Sequence, residues 1–400
     1  MNHLPFSLGD LDLNLVETFA AQLTGVKKRK IAVVVQGGGQ RGIFTAGVFD
    51  AFLEAGFDPF ELYIGTSAGA LNLSSYISRQ HKFGHDFITN LTTQNEFFNL
   101  YQYLSQQKPM NLDWAFSQIE QDGHTPLDIA TARRVLTYRQ ALACATRKDT
   151  LQDIYLPMYQ ENWRDVLRAT CAIPLLYNLP VNLHDLEWVD GGVSAAVPVQ
   201  EAWKRGAELV IVIRTEPLQL PQQTPGVFDD WRERIEQALP EYIERFSLNE
   251  SLDKVKAIRQ DFTDHFELWK SIWRDKEQAG IQAADALNQE LSEDKKAVNG
   301  YRKWLSGLNV ERFLSLTGKR SEVLDMLNKY YQSYKADNEF LIHPPESLKV
   351  IQLAPEKNLQ SKALLSSRQD LDLDYQQGRQ VGREFLECFA DLLNRHTSVR

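Results

Sequence analysis

Two short apolar segments of this chain are each followed by a glycine-framed turn and then by a helical pattern. The segments are residues 31–35 and 62–64, and the turns after them read Gly37-Gly38-Gly39-Gln40-Arg41-Gly42 and Gly65-Thr66-Ser67-Ala68-Gly69. A strand that is apolar throughout is typical of a sheet covered on both faces. Strands that alternate with helices build such a sheet from parallel strands. We therefore expect an α/β fold with a mostly parallel central sheet and helices on both sides.

The rest of the sequence divides the chain into three parts. Further strands are predicted at residues 186–189, 208–213 and 348–353, a leading helix at residues 8–25 and a last helix at residues 375–393. Between the last two strands, the chain is rich in charges of both signs and helical in pattern. We expect a core domain over residues 1–224, a charged helical insertion or subdomain over residues 225–340, and a strand and helix that return to the core over residues 341–400.

The composition argues against several classes of protein. A net charge of −9 over 400 residues argues against a general nucleic-acid binder, because phosphate contacts require a basic face. The three cysteines are far apart and no Cys-x-x-Cys occurs, so neither a disulfide framework nor a zinc site is predicted. The first residues lack the pattern of a signal peptide, and no segment approaches the ~20 apolar residues of a bilayer span. We expect a cytoplasmic protein.

Residues 27–30 form a basic tetrad just before the first strand. The tetrad can contact anionic lipid, or it can be a solvated flank that protects a buried strand from aggregation. The second interpretation is favoured, because sites of open α/β sheets lie beyond the carboxyl ends of the strands and the tetrad precedes an amino end. A peripheral contact with a membrane surface stays open.

The glycine run after the first strand has two interpretations. Gly37, Gly39 and Gly42 satisfy G-x-G-x-x-G, the pattern of dinucleotide-binding folds. Such folds need an acidic residue at the carboxyl end of the second strand, and here the nearest acid, Glu61, lies at its amino end. Alternatively, successive glycines point backbone N–H groups at one spot, and such donors stabilise the oxyanion of acyl transfer. Arg41 either forms a structural salt bridge or favours anionic groups.

The second glycine-framed turn fits a nucleophilic serine. In the pattern G-x-S-x-G a strand precedes and a helix follows, so that the serine oxygen is presented on a tight turn. Ser67 meets this requirement, and the small residues Gly65 and Gly69 let the turn and the helix pack closely. Serine is also a common helix N-cap, so the pattern alone leaves both roles open.

A serine nucleophile needs a proton acceptor. None of the eight histidines lies in a recognisable site, and His184 is the best candidate for a triad. Asp190 is the more attractive base, because it ends a predicted strand, enters a Gly-Gly turn and reaches the same sheet edge as Ser67. An aspartate with its ordinary pKa of about 3.9 is a weak base, and burial in an apolar pocket would raise its basicity. A plain turn is the alternative for Asp-Gly-Gly.

Four segments in this order resemble the patatin-like phospholipase family. They are G-G-G-x-[RK]-G at residues 37–42, G-x-S-x-G at residues 65–69, A-[ST]-x-A-x-P at residues 169–174 and D-G-[GA] at residues 190–192. Together they cover about residues 30–215, and the whole chain looks most similar to the longer bacterial members. The charged region at residues 225–340 departs from the short family core.

The resemblance implies a three-layer α/β/α sandwich and hydrolysis of acyl esters of phospholipids, lysophospholipids or neutral lipids, without a metal or cofactor. It implies a dyad without histidine, in which Ser67 is the nucleophile and Asp190 the base. It places the oxyanion hole in the run Gly37, Gly38, Gly39, Gln40, Arg41 and Gly42, with the N–H groups of Gly38, Gly39 and Gln40 as donors. Two alternatives stay open: a lipid-binding or regulatory protein of the same fold with little turnover, and, more remotely, a dinucleotide-binding oxidoreductase. No oligomeric state is predicted.

Overall fold

A computed structural model of the protein describes residues 2–10, 12–24, 30–98, 110–174, 176–177, 180–218 and 320–394. The chain forms two compact units, one of Met1–Pro240 with Met326–Arg400 and the other of Glu241–Asp325. The second unit is described only at residues 320–325, which are helical. Most of the insertion predicted at residues 225–340 therefore lies outside the described residues, and the division into three parts stays a prediction.

The described residues contain one sheet of nine strands. The strands are β1 His3–Phe6, β2 Ile31–Val35, β3 Leu62–Thr66, β4 Gln140–Arg147, β5 Gln152–Pro157, β6 Val181–Leu183, β7 Leu186–Asp190, β8 Leu209–Ile213 and β9 Lys349–Leu353. Their order is β1-β9-β8-β2-β3-β4-β7-β6, with β5 paired to β4. The pairs from β1 to β4 in this order are parallel, and those that involve β5, β6 and β7 are antiparallel. The predicted α/β fold with a mostly parallel sheet is confirmed.

Helices connect and flank these strands. They are α1 Leu13–Leu23, α2 Gly42–Glu54, α3 Ala68–Ile77, α4 Phe83–Asp86, α5 Leu112–Ser117, α6 Ile129–Val135, α7 Trp163–Thr170, α8 Val199–Lys204, α9 Arg320–Ile342 and α10 Arg368–Asn394. The start of α1 shows how local sequence sets a boundary: the Asp12 carboxylate accepts the N–H groups of Asn14 and Leu15, which satisfies donors that have no partner inside the helix.

Helices cover both faces of the sheet. Because successive residues of a strand point to opposite faces, Leu62 and Ile64 of β3 share one face, where Val199 of α8 and Leu341 of α9 pack with them. Tyr63 points to the other face, where aromatic rings from α2, α3, α10 and the turn before β3 form a cluster: Phe49, Phe52, Phe57, Phe60, Tyr63, Tyr76 and Phe385. These two layers of helices and the sheet between them give the three-layer arrangement.

The predicted elements and the observed ones differ mainly at the edges of the fold. The strand at residues 31–35 is as predicted, while the leading helix is shorter and the last helix begins earlier, at Arg368. The sequence did not indicate β1, β4, β5 or β6. Strand β4 is rich in alanine, a residue depleted in strands, and its conformation is set by pairing with β3, β5 and β7.

The register of the sheet brings the two candidate catalytic residues to the same place. Thr66, the last residue of β3, pairs with Cys144 of β4, and the next residue of β4, Ala145, pairs with Asp190 at the end of β7. Ser67 follows Thr66 directly. Strand β4 therefore aligns the ends of β3 and β7, although the two lie far apart in the sequence.

Candidate active site

Ser67 lies on a strained turn between β3 and α3. Its backbone angles are φ 54° and ψ −128°, a region that residues with a side chain rarely adopt. The turn is tight because two neighbours lack side chains: a Cβ at Gly65 would lie 2.6 Å from the Ala70 nitrogen, and one at Gly69 would lie 2.6 Å from the Val35 oxygen. The Ser67 side chain forms no N-cap hydrogen bond to α3. The turn has the tight strand–turn–helix geometry that the G-x-S-x-G pattern predicts, and the Ser67 side chain does not cap the helix.

Thr170 braces this turn, a role that the sequence analysis missed. The Ser67 N–H donates to Thr170 Oγ1 at 2.9 Å, and the Thr170 hydroxyl in turn donates to the backbone oxygen of Cys144 on β4. Thr170 is fully buried at the end of α7. The signal was present in the sequence, because Thr170 is the hydroxyl residue of the segment that reads A-[ST]-x-A-x-P.

Asp190 is a buried carboxyl group held by its neighbours. Only 6% of the residue is exposed. Its Oδ1 accepts the Gly192 N–H at 2.7 Å, its own N–H donates to the Ala172 oxygen at 2.9 Å, and its backbone oxygen accepts the Thr146 hydroxyl at 2.8 Å. These bonds fix the side chain, while Oδ2 is buried and has no hydrogen-bond partner in the described parts of the chain.

The environment of Asp190 makes it a stronger base than an ordinary aspartate. Burial raises its pKa from 3.8 to about 6, although the Ser67 hydroxyl and the Gly192 N–H oppose this rise as hydrogen-bond donors. The alignment of β3, β4 and β7 brings Ser67 to the same sheet edge as this carboxylate, and Oδ2 has no hydrogen-bond partner in the described chain. A carboxylate that is buried, oriented and short of one donor is suited to take a proton from a neighbouring hydroxyl.

The glycine run lies beside the serine, and two of its backbone donors have no partner among the described residues. A Cβ at Gly37 would lie 3.2 Å from the Cβ of Ser67, which places this loop next to the nucleophile. Most of its N–H groups are engaged within the protein: Gly37 donates to Ala196, Gln40 to Ala363, Arg41 to Gly38, and Gly42 to Gly39 and Gln40. Within the described residues, the N–H groups of Gly38 and Gly39 have no hydrogen-bond acceptor.

These hydrogen bonds reduce the set of N–H groups that could serve as donors in the predicted oxyanion hole. The sequence placed the donors on Gly38, Gly39 and Gln40, but the Gln40 N–H is occupied by the Ala363 oxygen at 2.9 Å. The correction has a simple cause, because the acceptor comes from a distant part of the chain that no local pattern reveals. Gly38 and Gly39 are therefore the candidate donors.

Arg41 of the loop forms a partly buried ion pair. The Arg41 guanidinium is 3.1 Å from Glu216 Oε1. The other carboxylate oxygen, Oε2, accepts hydrogen bonds from the Gln36 side-chain amide at 3.0 Å and from the Tyr334 hydroxyl at 2.6 Å. Burial opposes the charged form of Glu216, yet the charges of Arg41 and Arg214 outweigh it and lower the pKa of the carboxyl group. Of the two roles considered for Arg41, the structural salt bridge is the one observed.

His184 is placed apart from this arrangement. It lies on an exposed turn between β6 and β7, where its Nε2 is 3.1 Å from the side-chain amide of Asn162. Ser67, and not His184, is the side chain that lowers the pKa of Asp190 against the effect of burial. The structure therefore gives no support to a triad through His184. In the described parts of the chain, no group of three or more His, Cys, Asp or Glu side chains is placed to hold a metal ion.

Comparisons with known proteins decide between the interpretations of the glycine run. The family model described as patatin-like phospholipase matches residues 33–203. The uncharacterized protein YjjU of Escherichia coli (strain K12) is 31% identical over 365 residues, which are 91% of this chain and 79% of that protein. The chain belongs to the patatin-like phospholipase family. Membership of this lipid hydrolase family favours the acyl-transfer interpretation of the loop over the dinucleotide-binding one.

Two further comparisons concern the rest of this patatin-like chain. Residues 320–394, which contain α9, β9 and α10, match the model of a domain of unknown function, DUF6363. The crystal structure of VipD from Legionella pneumophila aligns with 90% of this chain and 67% of that one, at 12% identity and a TM-score of 0.36. A likeness at that level supports no argument. Among the described helices, none combines the length and the apolar character needed to cross a bilayer.

Proposed function

We propose that this patatin-like protein hydrolyses acyl esters of lipids, with Ser67 as the nucleophile and Asp190 as its general base. The observation that carries the proposal is the buried Asp190 carboxylate, whose Oδ2 has no hydrogen-bond partner in the described chain and which lies at the sheet edge where Ser67 sits on its strained turn. Family membership supports a lipid ester as the substrate class. We propose further that the protein is cytoplasmic and contacts membranes peripherally, because such esters occur there.

In the first half of the reaction, Ser67 Oγ attacks the acyl carbonyl carbon while Asp190 takes the hydroxyl proton. The carbonyl oxygen becomes an oxyanion, and the N–H groups of Gly38 and Gly39 are the donors proposed to stabilise it. The tetrahedral intermediate collapses when the C–O bond to the leaving alcohol breaks. Asp190 returns its proton to the alkoxide, which leaves an acyl ester on Ser67.

In the second half, water replaces the alcohol. Asp190 takes a proton from the water as it attacks the acyl carbon, and the same two N–H groups face the second oxyanion. Breaking the bond to Ser67 Oγ releases the fatty acid, and the proton held by Asp190 returns to the serine. A base with a pKa of about 6 is mostly ionised at neutral pH, yet it holds a proton well enough to carry it between these steps.

The test is hydrolysis of p-nitrophenyl esters of increasing acyl length by the wild type and by Ser67→Ala. We expect a rate that rises with chain length and falls by about 10⁴-fold or more in the variant, as for loss of a catalytic serine. Ser74→Ala is the matched control, because Ser74 is a buried serine of α3, the helix that follows Ser67, and its hydroxyl donates to the backbone oxygen of Ala70. Equal activity of Ser67→Ala and wild type would contradict the proposal.

The second candidate is a lipid-binding or regulatory protein that turns over little. One observation favours it: Ser67 and Asp190 are each only 6% exposed, which leaves a substrate little access to them. Binding of a fluorescent fatty acid that persists in Ser67→Ala, together with no hydrolysis of any ester by the wild type, would select this candidate.

A further inference from the structure

The glycine loop is clamped by a segment from the far end of the chain. This segment, residues 359–366, lies between β9 and α10, and we call it the strap. The Gln40 N–H donates to the Ala363 oxygen at 2.9 Å, and the Ser366 N–H donates to Gln40 Oε1 at 2.8 Å, across 326 residues of sequence. The loop and the strap are therefore joined by two hydrogen bonds that meet at a single residue.

Gln40 is built into the fold as a linking residue. It is 2% exposed, and its side-chain amide also donates to the backbone oxygen of Thr92 at 3.2 Å and to Thr92 Oγ1 at 3.0 Å. Both ends of its side chain are thus satisfied, one by the strap and one by the region after α4. Loss of either bond would leave a buried polar group without a partner, which is unfavourable.

The strap also touches Gly39 directly. Gly39 has φ +58°, and a Cβ added there would lie 2.2 Å from the Ala363 oxygen. The left-handed conformation and the close approach both require glycine at this position. The backbone of the strap therefore lies against the residue whose N–H group is a candidate oxyanion donor.

A buried carboxylate anchors the strap to α10. Asp374 is 4% exposed, and its oxygens accept the Ser361 N–H at 2.6 Å and the Gln360 N–H at 3.2 Å. Tyr375, the next residue, instead bonds Asp50 of α2 at 2.6 Å. Asp374 therefore binds the strap to α10, whereas the adjacent Tyr375 binds α10 to α2.

We propose that Gln40 is a positioning residue, and that the strap, which belongs to the segment matched by DUF6363, fixes the direction of the Gly38 and Gly39 N–H groups. Oxyanion donors must lie about 2.7–3.1 Å from the developing charge, and glycine is the residue with the most backbone freedom. The clamp removes that freedom on one side of the loop. The catalytic part of this inference rests on the proposed function, whereas the ordering of the loop does not.

The experiment compares Asp374→Ala, which releases the strap, with Tyr375→Phe, which removes one buried bond from the same helix and leaves the strap alone. The first readout is amide hydrogen exchange in the peptide of residues 36–42, which includes the Gln40 N–H. The second is ester hydrolysis, with each ester paired with its thionoester, in which sulfur replaces the carbonyl oxygen. Gln40→Met, which keeps the Asp374 anchor, serves if Asp374→Ala fails to fold.

We expect faster exchange of residues 36–42 in Asp374→Ala and Gln40→Met and unchanged exchange in Tyr375→Phe. In the same variants kcat should fall by about 10-fold with KM within about twofold, because small displacements of catalytic groups cost rate. The preference for the oxygen ester over the thionoester should fall as well.

Each other outcome has a distinct meaning. An inactive wild type whose loop exchange still responds to Asp374→Ala would refute the proposed function and support the clamp. An active wild type whose folded strap variants keep both the exchange and kcat would overturn the clamp. Tyr375→Phe that changes exchange and kcat as much as Asp374→Ala would also overturn it, since the effect would then follow from general loss of packing.

Discussion

Replacing Asp190 by asparagine should strongly reduce hydrolysis and at the same time remove a pH-dependent cost to the stability of the folded state. Burial raises the pKa of Asp190 from 3.8 to about 6 in the folded protein. Above pH 6 Asp190 is therefore ionised in the folded protein, and this carboxylate has a lower free energy in the unfolded chain, where water solvates it. At about 1.4 kcal/mol for each tenfold change in proton affinity, this cost is about 3 kcal/mol.

The sign of the effect follows from the direction of that rise. As pH falls below 6, the folded protein binds a proton at Asp190 before the unfolded chain does, so most of the cost is gone by about pH 4 and all of it well below the ordinary pKa of 3.8. The asparagine side chain has no such dependence. It keeps the oxygen that accepts the Gly192 N–H, but it places an NH₂ group where Oδ2 has no hydrogen-bond partner in the described chain. An unsatisfied donor costs about 1–3 kcal/mol, and that cost does not change with pH.

The measurement is the free energy of unfolding of wild type and Asp190→Asn in urea, at pH 4 and at pH 8. From pH 4 to pH 8 the difference between the two free energies of unfolding should move by about 2.4 kcal/mol in favour of the variant, slightly less than the full cost because pH 4 lies close to the ordinary pKa of 3.8. Hydrolysis by the variant should fall by about 10²–10⁴-fold, because an amide cannot accept the serine proton. A stability difference that is the same at both pH values would refute the raised pKa, and an active variant would refute the role of Asp190 as base.

Three further predictions concern the same site. The value of kcat/KM should fall tenfold for each pH step below about 6, where Asp190 becomes protonated, and a profile flat down to pH 4.5 would contradict this. His184→Ala should keep wild-type kcat, since His184 is exposed and bonds Asn162; a large loss would point to a triad. Gly39→Ala should lower kcat strongly, because its Cβ would lie 2.2 Å from the Ala363 oxygen, and a variant with unchanged kcat would mean that the loop tolerates displacement.

Local patterns of the sequence were enough for the central part of the fold. The strand at residues 31–35, the glycine turns and the helix after the first turn follow from burial and spacing, and the structure has them, with the helix at Gly42–Glu54. Strand β4 could not be found in this way, because its alanines acquire strand conformation only through pairing with β3, β5 and β7. It is nevertheless the strand that aligns Ser67 with Asp190.

The site shows the same division between local and distant information. Ser67 and Asp190 could be chosen from short motifs, because a nucleophile turn and a strand-end acid have local signatures. The partner of Gln40 could not, because Ala363 lies in a segment with no motif of its own. The ion pair between Arg41 and Glu216 could not be predicted either. Arg41 follows β2 and Glu216 follows β8, so the two residues meet only when these strands pair.

The most direct test of the account is to trap the acyl group on the nucleophile. The protein would be mixed briefly with a p-nitrophenyl ester, quenched in acid, digested and analysed by mass spectrometry, with Ser67→Ala treated in parallel. The account predicts one acyl group on Ser67 of the wild type and none at that position in Ser67→Ala. Turnover of the ester with the acyl group on another residue, or turnover that persists in Ser67→Ala, would contradict it.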